Sequence, residues 1–127
     1  GGVIVCTPQE VALLDARKAL GMLRTVKIPC LGVVENMSYF VEPISSNRVD
    51  IFGHGGAERW AHEAGIPFLG AIPLDVQTRI HGDEGQVRQN LAPNSLIRDS
   101  IMNIAKNLQS RWKNEEPGGL PAIEVIE

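Results

Sequence analysis

Polar residues follow three short apolar runs in this sequence, and their side chains are the ones best placed to do chemistry. An apolar run without alternation is typical of a parallel strand that is covered on both faces. Ligands of an open parallel sheet bind beyond the carboxyl ends of its strands, so we expect the three polar segments to meet at one binding edge. These segments are Thr7-Pro8-Gln9, Glu35-Asn36-Met37 and Pro73-Leu74-Asp75.

Asn36 has the clearest potential among these residues to bind a ligand. Its amide carries two donors and an acceptor oxygen, which suits the hydrogen-bonding edge of a purine. The alternative is that Asn36 stabilises a turn after the strand, as asparagine often does. Thr7 and Asp75 also have two interpretations, because each precedes an expected helix and could serve only as its N-cap.

The cysteines and histidines do not predict a metal site, and we assign no catalytic residue. Cys6 and Cys30 lie in apolar runs outside any Cys-x-x-Cys spacing, so we expect them to be buried as small hydrophobic residues. His54, His62 and His81 share no spacing that is typical of metal ligands. Nothing resembles a disulfide framework, which fits a reducing compartment, and we expect a cytoplasmic protein.

Composition and charge argue against nucleic-acid and membrane partners. The chain has 127 residues, a formal net charge of −3 and no cluster of lysine and arginine, so no positive field favours nucleic acid. Hydrophobic residues make up 43% of it and charged residues 21%, which is ordinary for one small globular domain or a part of one. Its longest apolar runs are far shorter than the roughly 20 residues of a membrane-spanning helix.

Three strands and four helices are predicted to position the polar segments. The helix signals are clear, since Thr7 can cap the first helix, Pro8 suits its first position and Glu10 can complete a capping box. Gly65 is a stop signal for the second helix, and Asp75 is a cap for the third. The predicted strands are residues 2–6, 30–34 and 68–72, and the helices after the first are residues 57–64, 76–80 and 94–112.

The order of these elements predicts an α/β fold with one parallel sheet, its strands adjacent in sequence order. Strands that are joined through helices form right-handed crossovers. Three strands make a thin sheet, and the first would expose an apolar edge, so we expect a further part of the domain on that side. The loop of residues 35–53 is long enough to suggest a function.

Four segments of the chain resemble the corresponding segments of Mrp/ApbC-type P-loop ATPases, which belong to the MinD/ParA superclass. They follow one another in the family's order and cover residues 1 to about 90. The segments are TPQEVAL at 7–13 with Asp15 after it, GVVENMSYF at 32–40, IFGHGG at 51–56 and PFLGAIPLD at 67–75.

This resemblance implies a three-layer, MinD-like P-loop fold that binds ATP and Mg²⁺ and works as a homodimer. In such a protein Asn36 would recognise the adenine, while Pro73, Leu74 and Asp75 would line the base pocket. The family's role is to carry iron–sulfur clusters to apoproteins, and the intact protein is expected to hydrolyse ATP. The family's Walker A and Walker B groups lie upstream of the first strand, and no Gly-Lys-Ser/Thr occurs in the 127 residues. We therefore expect residues 1–113 to be the C-terminal half of the ATPase domain, inactive alone, and residues 114–127 to be a tail.

One position departs from the family pattern. Many members carry Cys-Pro-x-Cys shortly after the Asn-Met-Ser-Tyr-Phe stretch, and two protomers hold a bridging iron–sulfur cluster with it. This chain has Glu42-Pro43-Ile44-Ser45 there. Carboxylate and hydroxyl oxygens are poor ligands for a site that needs soft thiolates, so the substitution argues against cluster binding at this place.

Two other functions remain open at this point. A positioning ATPase like MinD or ParA would associate with a membrane or DNA, and a basic amphipathic C-terminal helix would favour it. The last predicted helix instead has an apolar stripe from Ile97 to Trp112 that is typical of a core-facing helix. A nucleotide-independent interaction module is the other alternative, because the chain contains no phosphate-binding loop.

Overall fold

The computed structural model describes residues 1–114, which form an α/β fold. The part of the predicted tail from residue 115 onward lies outside the described residues. Ahead of the last α-helix the chain also forms a short 3₁₀ helix, Val87–Leu91. The strands and α-helices are β1 (Gly2–Cys6), α1 (Glu10–Thr25), β2 (Cys30–Glu35), β3 (Phe40–Val41), β4 (Arg48–Val49), α2 (Gly56–Ala64), β5 (Phe68–Ala71), α3 (Val76–Asp83) and α4 (Arg98–Asn114).

The main sheet is parallel, with the order β1-β2-β5, and this confirms the predicted sheet. Cys6 pairs with Glu35, and Glu35 pairs with Ala71, so the carboxyl ends of the three strands lie level. A separate antiparallel hairpin, β3 and β4, occupies part of the long loop. The sequence prediction missed this hairpin because strands of two residues are too short to show an alternating pattern.

Helices α1 and α2 bury the main hydrophobic core against the sheet. Leu13, Ala16 and Leu20 are the buried residues of α1, at the helical spacings of three and four. Trp60 of α2 is only 3% exposed and lies beside the small Ala61, which lets the helix approach the strands closely. The apolar stripes that the sequence shows in these helices therefore face the core.

Helix α4 packs along β5 and reaches β2. Ile104 lies against Gly70, and the Asn107 side chain donates a hydrogen bond to the Leu69 carbonyl at 2.8 Å. Trp112 was predicted in the same apolar stripe but is 69% exposed. Trp112 lies five residues after Asn107, which is about 7.5 Å further along the helix axis. This part of α4 therefore extends beyond the start of β5, where that strand no longer offers Trp112 a packing surface. Within residues 1–114 no helix is long and apolar enough to cross a membrane.

Strand β1 is covered on one face only by the described residues, which corrects the expectation of cover on both. Ile4 and Cys6 are buried in the core under α1 and α2. Successive side chains point to opposite faces of a sheet, and Val3 and Val5 on the other face are exposed. The expected location of a further part of the domain beside β1 stays a prediction.

The helix boundaries confirm two predicted signals and contradict two others. Gly65 ends α2 in a left-handed conformation, and the Asp75 carboxylate accepts a hydrogen bond from the Thr78 amide at the start of α3. The predicted capping box at Thr7 is wrong, because α1 begins only at Glu10, with Gln9 in an extended conformation as its N-cap, and the Thr7 hydroxyl donates to the Gln9 side chain. The last helix begins four residues later than predicted, since the chain between the 3₁₀ helix and Arg98 forms successive turns.

Two glycines in helices offer a matched test of packing. A Cβ on Gly56 would lie 2.6 Å from the Pro8 carbonyl oxygen and 3.0 Å from Leu13, whereas one on Gly21 would meet nothing within 4 Å. We expect Gly56→Ala to lower the free energy of unfolding by about 1–3 kcal/mol through overpacking. Gly21→Ala should raise it by about 0.5–1 kcal/mol, because alanine restricts the unfolded chain. Urea unfolding followed by circular dichroism measures both, and a stabilising Gly56→Ala would contradict the packing described here.

Candidate functional site

The chain after β2 runs between the ends of β1 and β5 and brings the predicted segments together. The main-chain amide of Asn36 donates a hydrogen bond to the Cys6 carbonyl at 2.7 Å, which connects the turn to β1. On the other side the Ile72 amide donates to the Glu35 carbonyl at 2.8 Å, and the Ser38 amide donates to the Ile72 carbonyl at 2.9 Å. The Leu74 amide then reaches the Tyr39 carbonyl at 2.7 Å. Residues 35–39 and 72–74 are thus held side by side at the carboxyl edge of the sheet.

Glu35 is a buried carboxylate at the centre of this edge, and sequence reasoning gave it no role. Only 2% of the residue is exposed to solvent, and both carboxylate oxygens are hydrogen-bonded. Oε1 accepts from the Ser38 hydroxyl at 2.6 Å, and Oε2 accepts from the Ala57 amide at 2.8 Å. Ala57 lies in the first turn of α2, where the helix dipole favours a negative charge. The available signal was an acidic residue at the end of an otherwise apolar strand.

Asn36 follows directly and forms a turn, as one of its two interpretations predicts. Its Oδ1 accepts a hydrogen bond from the Met37 amide at 2.9 Å. Since an N–H group cannot donate to the NH₂ end, this contact fixes which end of the amide faces the turn. The NH₂ group and the second lone pair of Oδ1 can therefore still meet a ligand. Met37 has a φ of 50°, a left-handed conformation that is unusual for a residue with a side chain.

Asp75 caps α3, which was the simpler of its two predicted roles. One oxygen, Oδ2, accepts from both the Thr78 amide at 2.8 Å and the Thr78 hydroxyl at 2.7 Å. Pro73 is buried and Leu74 is half-buried beside the turn that contains Asn36. The segment 73–75 is thus part of the carboxyl edge, and whether it lines a base pocket stays a prediction.

A cavity of about 490 Å³ lies next to Asp75, between α3 and the segment before α4. Six of its eight lining residues are polar, and His81 at its wall hydrogen-bonds Asn90 at 2.6 Å. The sequence gave no sign of it, because the residues come from two segments that only the fold brings together. They are Asp75, Gln77, His81, Gln89, Ala92, Asn94, Ser95 and Leu96.

Cys6 is a buried thiol at the same edge, and Cys30 is half-buried at the opposite end of the neighbouring strand. Burial, together with the negative charge of Glu35, raises the pKa of the Cys6 thiol to about 11. The expected burial is therefore confirmed for Cys6 and only partly for Cys30. Among residues 1–114 no group of three His, Cys, Asp or Glu side chains could hold a metal ion.

The raised pKa predicts that Cys6 is a poor nucleophile in the folded chain. At pH 8 it should form about a hundredfold fewer thiolates than a cysteine with a pKa two units lower, and the thiolate is the reactive form. We expect iodoacetamide to label Cys30 first, with Cys6 labelling accelerating as the pH rises towards 11. Peptide mass spectrometry after timed alkylation measures this, and labelling in urea provides the unfolded control. Equal rates for both cysteines at pH 8 in the folded chain would contradict the prediction.

The turn at residues 42–47 joins β3 to β4 and contains the departure from the family pattern. The Glu42 carboxylate accepts from the Ile44 amide at 3.0 Å and from the Ser45 amide. Hydrogen bonds from the Ser45 hydroxyl and then from these two amides lower the pKa of Glu42. The main chain closes the turn independently, since the Glu42 amide donates to the Asn47 carbonyl at 2.9 Å. A carboxylate held in this way, with a hydroxyl beside it, does not fit an iron–sulfur cluster.

Arg48 connects this hairpin to the segment before α2. Its guanidinium lies 4.1 Å from the centre of the Tyr39 ring, and Nε donates to Asp50 at 2.8 Å. A terminal nitrogen of the guanidinium lies 2.9 Å from Nδ1 of His54. The glycines after His54 lead directly into the second helix, with Gly55 in a left-handed conformation immediately before it.

Comparison with known proteins identifies the family. A profile of the ParA group described as "NUBPL iron-transfer P-loop NTPase" matches residues 1–109. An iron–sulfur cluster carrier protein of Deinococcus radiodurans is 42% identical over 127 positions, which cover 97% of this chain and 36% of the relative. One from Pyrococcus abyssi is 43% identical over 111 positions, covering 87% of this chain and 37% of the relative. The chain thus spans little more than a third of the length of the curated relatives it matches.

Solved structures agree with the family and with the fold. A nucleotide-binding protein from Archaeoglobus fulgidus, in complex with ADP, has a TM-score of 0.61 and 39% identity over 68% of this chain and 36% of its own. The cell division ATPase MinD of Pyrococcus furiosus has a TM-score of 0.63 over 87% of this chain and 43% of its own, and its 22% identity supports the fold alone. These matches confirm the resemblance that four sequence segments indicate, and the chain belongs to the NUBPL iron-transfer family of P-loop NTPases.

Proposed function

We propose that this chain forms the base-binding and dimer-forming half of an ATP-dependent iron–sulfur cluster carrier. The curated relatives named above are cluster carriers, and one related structure holds ADP. The intact protein would bind ATP with Mg²⁺, hydrolyse it as a homodimer and deliver clusters to apoproteins. Residues 1–113 would belong to the ATPase domain, and residues 114–127 would follow it as a tail.

The observation that carries this proposal is the meeting of residues 35–39 with residues 72–74. Four main-chain hydrogen bonds of 2.7–2.9 Å hold the two segments and β1 together at the carboxyl edge of the sheet. This is the position at which open parallel sheets bind their ligands. The segment that carries Asn36 and the segment that carries Pro73 and Leu74 thus share this edge, which supports assigning both to the adenine.

Phosphate binding has to come from outside this chain. The 127 residues contain no Gly-Lys-Ser/Thr, and the Gly-rich segment at 53–56 has no lysine for a phosphate. Mg²⁺ coordination and activation of the attacking water also depend on P-loop and Walker B groups. We therefore expect residues 1–127 alone neither to bind ATP tightly nor to hydrolyse it.

The cluster itself would be cargo, and its thiolate ligands would also lie outside this chain. Glu42 and Ser45 occupy the positions of the family's cysteine pair, and Glu42 is already bound to the amides of its own turn. Cys6 is buried with a raised pKa, while Cys30 lies at the other end of the sheet. A soft iron site has no suitable donor set among the described residues.

Asn36→Ala in the intact protein tests the base-binding role. Loss of one or two neutral hydrogen bonds, each worth about 0.5–1.5 kcal/mol, should weaken ATP binding by roughly tenfold and reduce the preference over GTP. Calorimetric titration with ATP and GTP measures both. Asn103→Ala, the same change on an exposed position of α4, is the matched control, and residues 1–127 alone are the negative control.

Two outcomes would contradict the proposal. Unchanged ATP affinity and selectivity in Asn36→Ala would remove Asn36 from the base site. An intact protein without measurable ATP binding would favour a nucleotide-independent interaction module instead.

A further inference from the structure

Glu35 is the most deeply buried charged residue of the described chain, and its burial demands an explanation. Only 2% of it is exposed, and taking a carboxylate out of water is costly unless hydrogen bonds compensate. The Ala57 amide and the Ser38 hydroxyl supply that compensation at 2.8 and 2.6 Å. In addition, the main-chain carbonyl of Glu35 accepts from the Ile72 amide. One residue thus links β2, β5, α2 and the turn that follows β2.

The hydrogen bond from the Ser38 hydroxyl to the Glu35 carboxylate encloses Asn36 and Met37 in a short side-chain-closed loop, which we call the bracket. Glu35 precedes these two residues, Ser38 follows them, and the side chains of Glu35 and Ser38 meet at 2.6 Å. Met37 inside the bracket has a φ of 50°, a conformation that persists in a residue with a side chain only when its surroundings hold it. The direction of the Asn36 amide depends on this turn, because its Oδ1 accepts from the Met37 amide.

We infer that Glu35 and Ser38 are positioning residues that aim the Asn36 amide at the base and so set the preference for ATP over GTP. This inference rests on the proposed function, since it requires that Asn36 contacts the base. Neither Glu35 nor Ser38 touches the nucleotide in this scheme, because both side chains are buried and bound to one another. Their effect on binding passes through Asn36.

The simpler alternative is that Glu35 only caps α2 through Ala57. The two contacts of the carboxylate separate these roles, because the bond to Ser38 contributes nothing to the helix cap. Ser38→Ala removes the bracket and leaves Ala57 bound to Oε2. The Ser38 main-chain bond to Ile72 also survives this change. Ser38→Ala is therefore a sharper probe than Glu35→Ala, which would leave the Ala57 amide buried without a partner.

The test is a double-mutant cycle between Ser38→Ala and Asn36→Ala in the intact protein, read by calorimetric binding of ATP and GTP. We expect Ser38→Ala to weaken ATP binding about threefold to tenfold, the equivalent of one hydrogen bond, and to weaken GTP binding less. In the Asn36→Ala background the same change should have less than about a twofold effect, because the group it positions is gone. Binding of inorganic tripolyphosphate should not change in any of these variants.

Two controls distinguish positioning from a general loss of stability. Glu35→Gln keeps a carbonyl oxygen for Ala57 and an NH₂ group that can donate to Ser38, so its selectivity should stay within about twofold of the parent. Ser110→Ala removes a hydroxyl that donates to the Asn107 carbonyl on the exposed side of α4, and it should leave nucleotide binding unchanged. Thermal unfolding of each variant shows that the binding domain is folded at the temperature of the titration.

The outcomes separate failure of this inference from failure of the proposed function. If Asn36→Ala weakens ATP binding while Ser38→Ala does not, Glu35 and Ser38 do not act through Asn36. The same conclusion follows if the losses of binding free energy in the two single variants add up to the loss in the double variant. If Asn36→Ala itself changes nothing, the base-binding assignment is wrong and the positioning role falls with it. An ATP preference lost in Ser38→Ala but retained in Glu35→Gln supports the inference.

Discussion

Glu42→Cys combined with Ser45→Cys is expected to give the intact protein the capacity to bind an iron–sulfur cluster at this turn. The double substitution restores the family's Cys-Pro-x-Cys around Pro43 and Ile44. Two protomers would then supply the four thiolates that an iron–sulfur cluster requires. The structure favours success, because main-chain hydrogen bonds close the turn without the help of the Glu42 carboxylate. The Ile44 and Ser45 amides, which Glu42 now accepts from, could donate to the cluster's sulfurs instead.

Anaerobic reconstitution followed by iron and sulfide analysis and absorption spectroscopy measures the result. Size-exclusion chromatography should show that the cluster elutes with a dimer. Glu42→Ala and Ser45→Ala remove the same side chains without adding thiols, and we expect their iron content to equal that of the parent. Two findings would overturn the interpretation of this turn: loss of a cluster from the parent on either alanine substitution, or a double-cysteine variant that takes up no iron.

Trp60→Ala is expected to lower the free energy of unfolding by about 3–5 kcal/mol. The residue is 3% exposed in the core cluster between α2, α1 and the sheet, so the change leaves a large cavity. Such a loss is a large part of the stability of an ordinary domain, which is about 5–15 kcal/mol. It should also loosen α2, whose first turn binds the Glu35 carboxylate.

Trp112 provides the matched control for this experiment. It is the other tryptophan of the chain, is 69% exposed near the end of α4, and has little packing to lose. We expect Trp112→Ala to change the free energy of unfolding by less than about 1 kcal/mol. Denaturant unfolding followed by far-ultraviolet circular dichroism is suitable for both variants, since it does not rely on tryptophan emission. Similar losses for the two substitutions would be inconsistent with the core described here.

Local signals predicted the sheet and several helix ends from the sequence. The three apolar runs form neighbouring parallel strands because consecutive strands that are joined through a helix pair in parallel by a right-handed crossover. Gly65 and Asp75 act as predicted because a stop glycine and an N-cap work through their own neighbouring backbone. Thr7 does not cap α1 because the helix begins at Glu10, with Gln9 rather than Thr7 at the N-cap position.

The parts of the site that the sequence did not reveal depend on contacts between distant residues. Glu35 and Ala57 are 22 positions apart, and only the fold brings the carboxylate to the start of α2. The polar cavity beside Asp75 likewise needs both α3 and the segment before α4. Asn36 could be predicted as a candidate ligand-binding residue because it directly follows a parallel strand, and open parallel sheets bind their ligands beyond the carboxyl ends of the strands. The sequence alone could not decide whether the Asn36 side chain accepts a hydrogen bond from the Met37 main chain, as it does in the structure, or leaves both ends of its amide unbound.

The self-contained hydrogen bonding of the turn at residues 42–47 has an evolutionary consequence. Its side chains at 42 and 45 are exposed or half-exposed and bind only within the turn, so exchanging them leaves the core and the carboxyl edge untouched. A lineage can therefore gain or discard a cysteine pair here in a few mutational steps, without passing through misfolded intermediates. Relatives that share this fold can therefore differ in the metal-binding capacity of this turn while the carboxyl edge of the sheet stays the same.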